Sequence, residues 1–357
     1  MLAITSPTYG DPSRYELSEV PEPKVTEPDE VLIRVHAASI NPVDVKIASG
    51  AFKAAGLIED LPIKLGYDCA GVVTAIGDDV KDLKVGDKVW SRLPESTKGS
   101  WSEYVKAASS HVSLMPSNLS FTEAASLPLA AITAVQALRK YEGDLEGKTV
   151  FIPAGLGGTG AFACQLAKNV FKAGKVITTV STSKVGRAPE LLGEGVVDQI
   201  IDYTKDDPLK IIPAGSIDFL LDTMGQALSY LPLMTPGTST LLSISTTPSG
   251  AQLQASSFFA RPSNPTIPFL AKSFLDGADY VRKWRARRWG VRYEYMFLES
   301  GREELDGLRG FVEGGKLRAV VGRVVGLGDL EGVRGASEGV WKGNGGVGKT
   351  VLRVVGE

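Results

Sequence analysis

The chain has 357 residues, a formal net charge of −2, 43% hydrophobic and 22% charged residues, the make-up of a soluble globular protein long enough for two domains. No charge excess points to nucleic acid, and two cysteines without metal-like spacing, Cys69 and Cys164, provide neither a metal site nor a disulfide framework. The N-terminus lacks a signal-peptide pattern, and the most apolar run (124–138) holds Pro128 and falls short of the roughly 20 residues a membrane span needs. A cytoplasmic protein with no nucleic-acid or membrane partner is expected, as a monomer or homodimer.

In chain order, "EVLIRVHAAS" (30–39), "AGVVTAIG" (70–77), "GDKVWSR" (86–92) and "SWSEYVKA" (100–107) read as closely spaced strands of a compact β-rich domain. His36 and His111 lie in strand-like runs and read as structural. The pattern changes near Phe121, where "FTEAASLPLAAITAVQALRK" reads as one helix with Thr122 as N-cap. Strands then alternate with helices: "TVFIPAG" (149–155), a helix over 159–174, "KVITTVS" (175–181), a short helix in "PELLGEG", "QIIDY" (199–203), "IDFLLDTMG" (217–225) and "STLLSIS" (239–245). Such alternation predicts an α/β fold with a doubly wound parallel (Rossmann) sheet.

After about residue 262 the pattern is irregular. It yields one helix, "REELDGLRGFVEGG", and two late strands, "KLRAVVGRVV" and "TVLRVV", which need a sheet to join. The expected domains are therefore 1–121, 122–270 and a return to the first domain over 271–357. The basic stretch "RKWRARRWG" (282–290) reads as a solvated face or as a docking patch for an acidic partner.

Two glycine-rich motifs compete as phosphate sites. "GNGGVGKT" (343–350) satisfies the nucleotide-triphosphate loop pattern, yet helix-like "SEGVWK" precedes it and strand-like "VLRVVGE" follows. The motif works only between a strand and a helix, so it reads as a turn into a closing strand. "GLGGTG" (155–160) does have that context. Gly155 permits the tight turn, Gly157 lets a pyrophosphate approach the backbone, and Gly160 lets the helix pack on the strand. Gly158 and Thr159 open the helix, whose free N–H groups attract phosphate. An NAD site carries an acidic residue about 20 positions on, but none occurs from Ala161 to Pro189. The second strand ends instead in Ser181, Ser183 and Lys184, which suit the 2′-phosphate of NADPH.

The sequence resembles the medium-chain dehydrogenase/reductase family, in its zinc-independent quinone and enoyl reductase branch, over nearly its whole length. "HAASINPVDVK", "GYDCAGVVTAIG", "VGDKVW", "GSWSEYV", "EAASLPLAAITAVQAL", "PAGLGGTGAFACQLAK", "DFLLDTMG" and "GVGKTVLRVV" carry the resemblance in order. It implies a GroES-like catalytic domain beside the Rossmann domain. Asn41, Lys46 and Thr133 are implied at the nicotinamide end, and Lys184 and Tyr203 on the 2′-phosphate. Ser243 and Lys349 are implied near the cofactor, and Asp44 as an organiser of the site. Where zinc-dependent relatives place ligands this chain has Asn41 and Tyr67, so no metal is expected.

The implied reaction is NADPH-dependent reduction of the C=C bond of an enone or enoyl thioester, with a carrier protein or synthase as a partner to consider. Quinone reduction, or a non-catalytic NADPH-binding accessory role, are the alternatives. Related enoyl reductases carry a Tyr proton donor where this chain has Phe52. Water, Tyr67 or a substrate group must then supply the proton, although Tyr67 equally suits filling the volume of an absent zinc site. The substrate pocket is expected from 52–60 and about 260–296.

Overall fold

A computed structural model of the chain describes residues 1–260, 265–344 and 346–355. The first third is organised by the strand Glu30–Ile40, whose residues are buried almost throughout. Among the described residues it sits inside a seven-stranded sheet ordered Val321–Gly326, Lys349–Arg353, Glu30–Ile40, Asp68–Ile76, Lys88–Arg92, Val112–Leu114, with Tyr104–Ala108 also paired to Glu30–Ile40. The two late strands thus join the N-terminal sheet, where the backbone groups of an otherwise bare edge find partners. Thr350 pairs with Ile40 in an antiparallel register, which delivers the neighbouring Lys349 to Asn41.

The second sheet is parallel throughout, ordered Gln199–Asp202, Lys175–Val180, Thr149–Ile152, Phe219–Asp222, Thr240–Ser243, Arg292–Tyr295. Numbered along the chain this is 3-2-1-4-5-6, the doubly wound order with its switch point between the first and fourth strands. Five strands match the sequence expectation within a few residues. The sixth, "RYEY", shows no apolar run, because an edge strand needs no second buried face. The helix Phe269–Arg288 leads into it, so the parallel sheet continues past the boundary expected at residue 270.

Residues 121–139 are not one helix. Phe121–Ala125 ends at Ser126, and a second helix starts with Pro128 at its first position, where proline's missing N–H costs nothing. The N-cap is Ser120, not Thr122: its hydroxyl accepts from Glu123 N–H, and the Glu123 carboxylate accepts from Ser120 N–H. This helix pair joins the two halves. Ala130, Ala134 and Ala137 pack with Phe162, Ala163 and Leu166 of the helix Gly158–Asn169 in the largest core cluster. A second cluster fills the β-rich half around Ile33, Trp101 and Leu352.

The cofactor-loop glycines answer to packing. A Cβ on Gly160 would lie 2.3 Å from the Ala154 carbonyl oxygen, and one on Gly155 2.0 Å from Thr178 Oγ1. Gly160→Ala is expected to destabilise the fold by about 1–3 kcal/mol through overpacking. Gly186→Ala, which meets nothing within 4 Å, is expected to stay within about 0.5 kcal/mol. Urea midpoints of the two variants check the contrast.

Candidate functional site

Where the two sheets meet, the site is built on a fully buried carboxylate. Asp68 opens the strand after "GY" and accepts from Ser39 Oγ at 2.8 Å and Asn41 Nδ2 at 2.9 Å through Oδ2, and from the Leu129 amide at 2.9 Å through Oδ1. Lys349 Nζ lies 3.8 Å from the same Oδ2 and donates to Asn41 Oδ1. The Asn41 amide is therefore held at both ends, its N–H₂ by a carboxylate and its oxygen by an ammonium. Trp101, itself buried, donates its indole N–H to the Ser39 carbonyl at 3.1 Å and fixes the strand end that presents Asn41.

Asp44 completes the cluster. One carboxylate oxygen accepts from Asn41 N–H at 2.7 Å, and Oδ1 has no hydrogen-bond partner among the described residues. Burial, reinforced by the nearby Asp68 charge, pushes the Asp44 carboxyl up to about 7. Burial pulls the Lys349 ammonium down from the ordinary lysine range. Asp68 and Ser39 were not foreseen from sequence. The signal available was an acidic residue inside an otherwise apolar strand, "GYDCAGVV".

Lys349 also reaches the cofactor loop. A Cβ on Gly158 would stand 3.1 Å from Lys349 Cδ, and the Gly348 amide donates to the Leu156 carbonyl at 2.7 Å. Gly348 takes a φ of +60° and leaves no room for a side chain, since its Cβ would fall 2.1 Å from the Val320 carbonyl. The "GNGGVGKT" run is therefore a crossing into the last strand, preceded by the helix Leu330–Trp341 and followed by Lys349–Arg353; its Gly345 lies outside the described residues.

At the other end of the loop, the turn Thr182–Arg187 follows the second parallel strand. Ser181 stands at its N-cap position without a side-chain capping bond, Ser183 is exposed, and Lys184 Nζ donates to the Gly346 carbonyl at 2.8 Å. Tyr203, 58% exposed, closes the third strand alongside. Arg187 in the same turn is a second cation that the sequence reading passed over. The one nearby carboxylate that ends a strand, Asp202, is engaged by the Thr182 and Thr204 hydroxyls at 2.6 and 2.7 Å. Ser243 is buried and donates to Asp222 at 2.7 Å, while its oxygen accepts from the Ser245 and Thr246 amides. It ties together the ends of two strands.

Other expected residues sit less directly. Tyr67 is fully buried, its ring 4.6 Å beneath the Arg92 guanidinium and its hydroxyl without a partner among the described residues. Thr133 donates its hydroxyl to the Leu129 carbonyl at 2.7 Å, and Lys46 is exposed. Phe52 stacks on Phe258 at 6.1 Å, and Phe258 meets Phe297, which meets Tyr295. This aromatic row lines the meeting of the two segments expected to form the substrate pocket, of which residues 261–264 lie outside the described ones.

Residues 27–117 match the family profile "Alcohol dehydrogenase GroES-like domain" and residues 197–352 "Zinc-binding dehydrogenase". The quinone oxidoreductase of Coxiella burnetii is 30% identical, with a TM-score of 0.80 over 99% of both chains. The chain belongs to the medium-chain dehydrogenase/reductase family. Two plant relatives are 40% identical: the 2-methylene-furan-3-one reductase of Solanum lycopersicum, over 68% of this chain and 62% of its own length, and the chloroplastic NADPH-dependent alkenal/one oxidoreductase of Arabidopsis thaliana, over 58% and 53%. The match thus spans less than two thirds of either plant protein.

Within this family the zinc-binding label does not fit the residues present. The amide of Asn41 is already taken up by Asp68 and Lys349, and the Tyr67 phenol is buried under a guanidinium. Among the described residues no group of three or more His, Cys, Asp or Glu could hold a metal ion. The chain falls in the zinc-independent branch.

The Asp44 carboxyl makes stability depend on pH. Its folded value lies above the ordinary 3.8, so its stabilising contribution is present at low pH and is lost as pH rises through about 7. Melting temperatures of wild type and Asp44→Asn from about pH 4 to 8 check this. The wild type is expected to lose stability relative to the variant across that window; parallel curves would count against it.

Proposed function

We propose that the protein uses NADPH to reduce the C=C bond of an α,β-unsaturated carbonyl compound. The observation that carries this reading is Lys349, one buried cation that packs on the glycine loop at Gly158 and bonds Asn41 in the opposite domain. The cofactor cradle therefore opens onto an amide and an ammonium, a set that binds and orients a substrate which is already polarised. The two plant relatives, named for a conjugated furanone and for alkenals and alkenones, support the same class.

The loop's form suits the cofactor, since Gly155 and Gly160 let the strand turn closely into the helix where a Cβ would strike Thr178 or the Ala154 carbonyl. The helix start at Gly158 presents backbone N–H groups to a pyrophosphate, and Ser181, Ser183, Lys184, Arg187 and Tyr203 would hold the 2′-phosphate. NADPH, when bound, would supply the hydride that the β-carbon accepts. The protein's part is to hold the substrate in register and to stabilise the charge that moves onto the carbonyl oxygen, a term worth about 100- to 1000-fold per donor. Thr133 has its proton committed to Leu129, Asn41 its N–H₂ to Asp68, and the Lys349 ammonium is shared among Asn41 Oδ1, the Ile40 carbonyl and Asp68, so a bound substrate oxygen would have to draw one of these donors from its present partner. Tyr67 is too enclosed to hand a proton to a substrate, which makes solvent the proton source at the α-carbon. Quinone reduction is the second reading, favoured by the Coxiella burnetii relative.

With NADPH deuterated at nicotinamide C4 in ordinary water, an α,β-unsaturated ketone is expected to give a saturated product labelled only at the β-carbon. Label at the carbonyl carbon would identify a carbonyl reductase, and turnover of quinones alone would favour the second reading. Lys184→Ala is expected to weaken NADPH binding by about 10- to 150-fold, the loss of one charge-assisted hydrogen bond, while NADH binding stays nearly unchanged. Titration of both cofactors by nicotinamide fluorescence checks it.

A further inference from the structure

The helix Phe269–Arg288 carries an outer face that no other part of the fold covers. Phe269, Leu270 and Phe274 are 79, 81 and 76% exposed, and Tyr280, Val281, Trp284 and Trp289 are exposed beside them. Leu270, Phe274, Gly277, Val281 and Trp284 follow at alternating spacings of four and three residues, so they form one stripe along the helix. The inner face is ordinary, with Ala271 and Leu275 packed on a small cluster of Leu57, Leu253, Phe259 and Ile267. Two further exposed apolar side chains, Ile58 and Leu61, follow Gly56, which abuts the Thr266 carbonyl just before the helix. Single exposed apolar residues are normal on a soluble protein, but a contiguous patch marks an interaction site.

On the outer face of the helix itself the charge has one sign, while Asp60 is an exposed carboxylate in the segment of Ile58 and Leu61. Arg285, Arg287 and Arg288 are exposed in the last turns. The Arg288 guanidinium lies 5.0 Å from the Trp284 ring, and Trp284, Arg285, Arg288 and Trp289 line a surface groove of about 500 Å³. The helix's carboxylates are already engaged: Asp276 accepts from the Ala251 amide, and Asp279 is buried and paired with Lys283 at 2.7 Å.

We propose that this face, together with Ile58 and Leu61, docks the protein onto an anionic phospholipid surface. A convex stripe of Phe, Leu, Tyr and Trp ending in arginines matches what seats a helix at the boundary of headgroups and acyl chains, where indole and phenol rings settle at headgroup level and cations meet the negative surface. A second copy of the chain is a poorer occupant, since it brings the same arginines and no free carboxylate from this helix to meet them. No helix among the described residues is long and apolar enough to cross a membrane, so the contact is peripheral. It departs from the sequence expectation of no membrane partner. Phe52 and Phe258 pack against the same inner cluster, so docking sets the aromatic row of the site beside the lipid. If the proposed enone reduction holds, the substrates reached there are lipophilic conjugated carbonyls; the docking itself does not depend on that reading.

The test is co-sedimentation of the full chain with phosphatidylcholine vesicles, with and without about 30% phosphatidylserine, at low and high salt. Wild type is expected to pellet only with the phosphatidylserine vesicles, and less at high salt. Arg285→Glu/Arg287→Glu/Arg288→Glu is expected to lower partitioning by about 100-fold and Phe274→Ser/Trp284→Ser by about tenfold. Melting temperature and turnover of a short water-soluble enone stay unchanged in both variants. Failure of wild type to pellet with the anionic vesicles, or equal pelleting of the triple variant, overturns the proposal. So does a dimer by sedimentation velocity that Phe274→Ser/Trp284→Ser converts to monomer, which would assign the face to a second copy.

Discussion

Asp68 takes three hydrogen bonds while fully buried, and these come from the strand before Asn41, from Asn41 itself and from the first turn of the helix that enters the nucleotide-binding half. A carboxylate taken out of water is tolerated only when paired and hydrogen-bonded, so each of these elements must keep its place for the charge to be stable. Lys349 supplies the countercharge from the last strand of the chain. The order of the site follows from this one constraint. The β-rich half, the connecting helix and the closing strand all converge on a single buried anion.

The closing strand gives the constraint its reach across the molecule. Because Thr350 is in register with Ile40, Lys349 lies between Asn41 on one side and Gly158 on the other. The same side chain thus stands beside Gly158 of the cofactor loop, close enough to crowd a Cβ there, and is hydrogen-bonded to Asn41. Removing one member of such a buried pair typically costs about 3–5 kcal/mol, because it leaves the other charge uncompensated.

The outer surface obeys a different balance. On the helix Phe269–Arg288 the apolar side chains that a soluble helix usually turns inward are divided between both faces. Its inner residues close the small cluster behind Phe52 and Phe258. Its outer ones are left to water, which is unfavourable unless another surface covers them. The one helix thus closes a small apolar cluster with its inner face and leaves an amphipathic stripe uncovered on its outer face.

Local chemistry was enough to read much of this from sequence. The strand–glycine–helix unit at 149–169 announced itself because turn, phosphate cradle and close packing each demand glycine at a set spacing. The misleading triphosphate-loop motif could be set aside on its flanking pattern alone. Motif position singled out Asn41, Lys184 and Lys349, and the structure places Asn41 and Lys349 in one buried cluster and Lys184 at the turn after the second parallel strand. The Asp68 hub, the break at Pro128, the sixth strand and the exposure of Phe274 and Trp284 were not legible in the sequence. Each depends on which surface of an element ends up covered, and that is set by contacts between residues far apart in the chain. "RYEY" becomes a strand because Thr240–Ser243 offers it an edge, Asp68 becomes a hub because Lys349 returns from almost 300 positions away, and Tyr67, open to two roles on sequence, is sealed in the core by its neighbours. Spacing along the chain determines which local structures are possible; only the packing of distant segments decides which side chains share a buried charge and which are left facing outward.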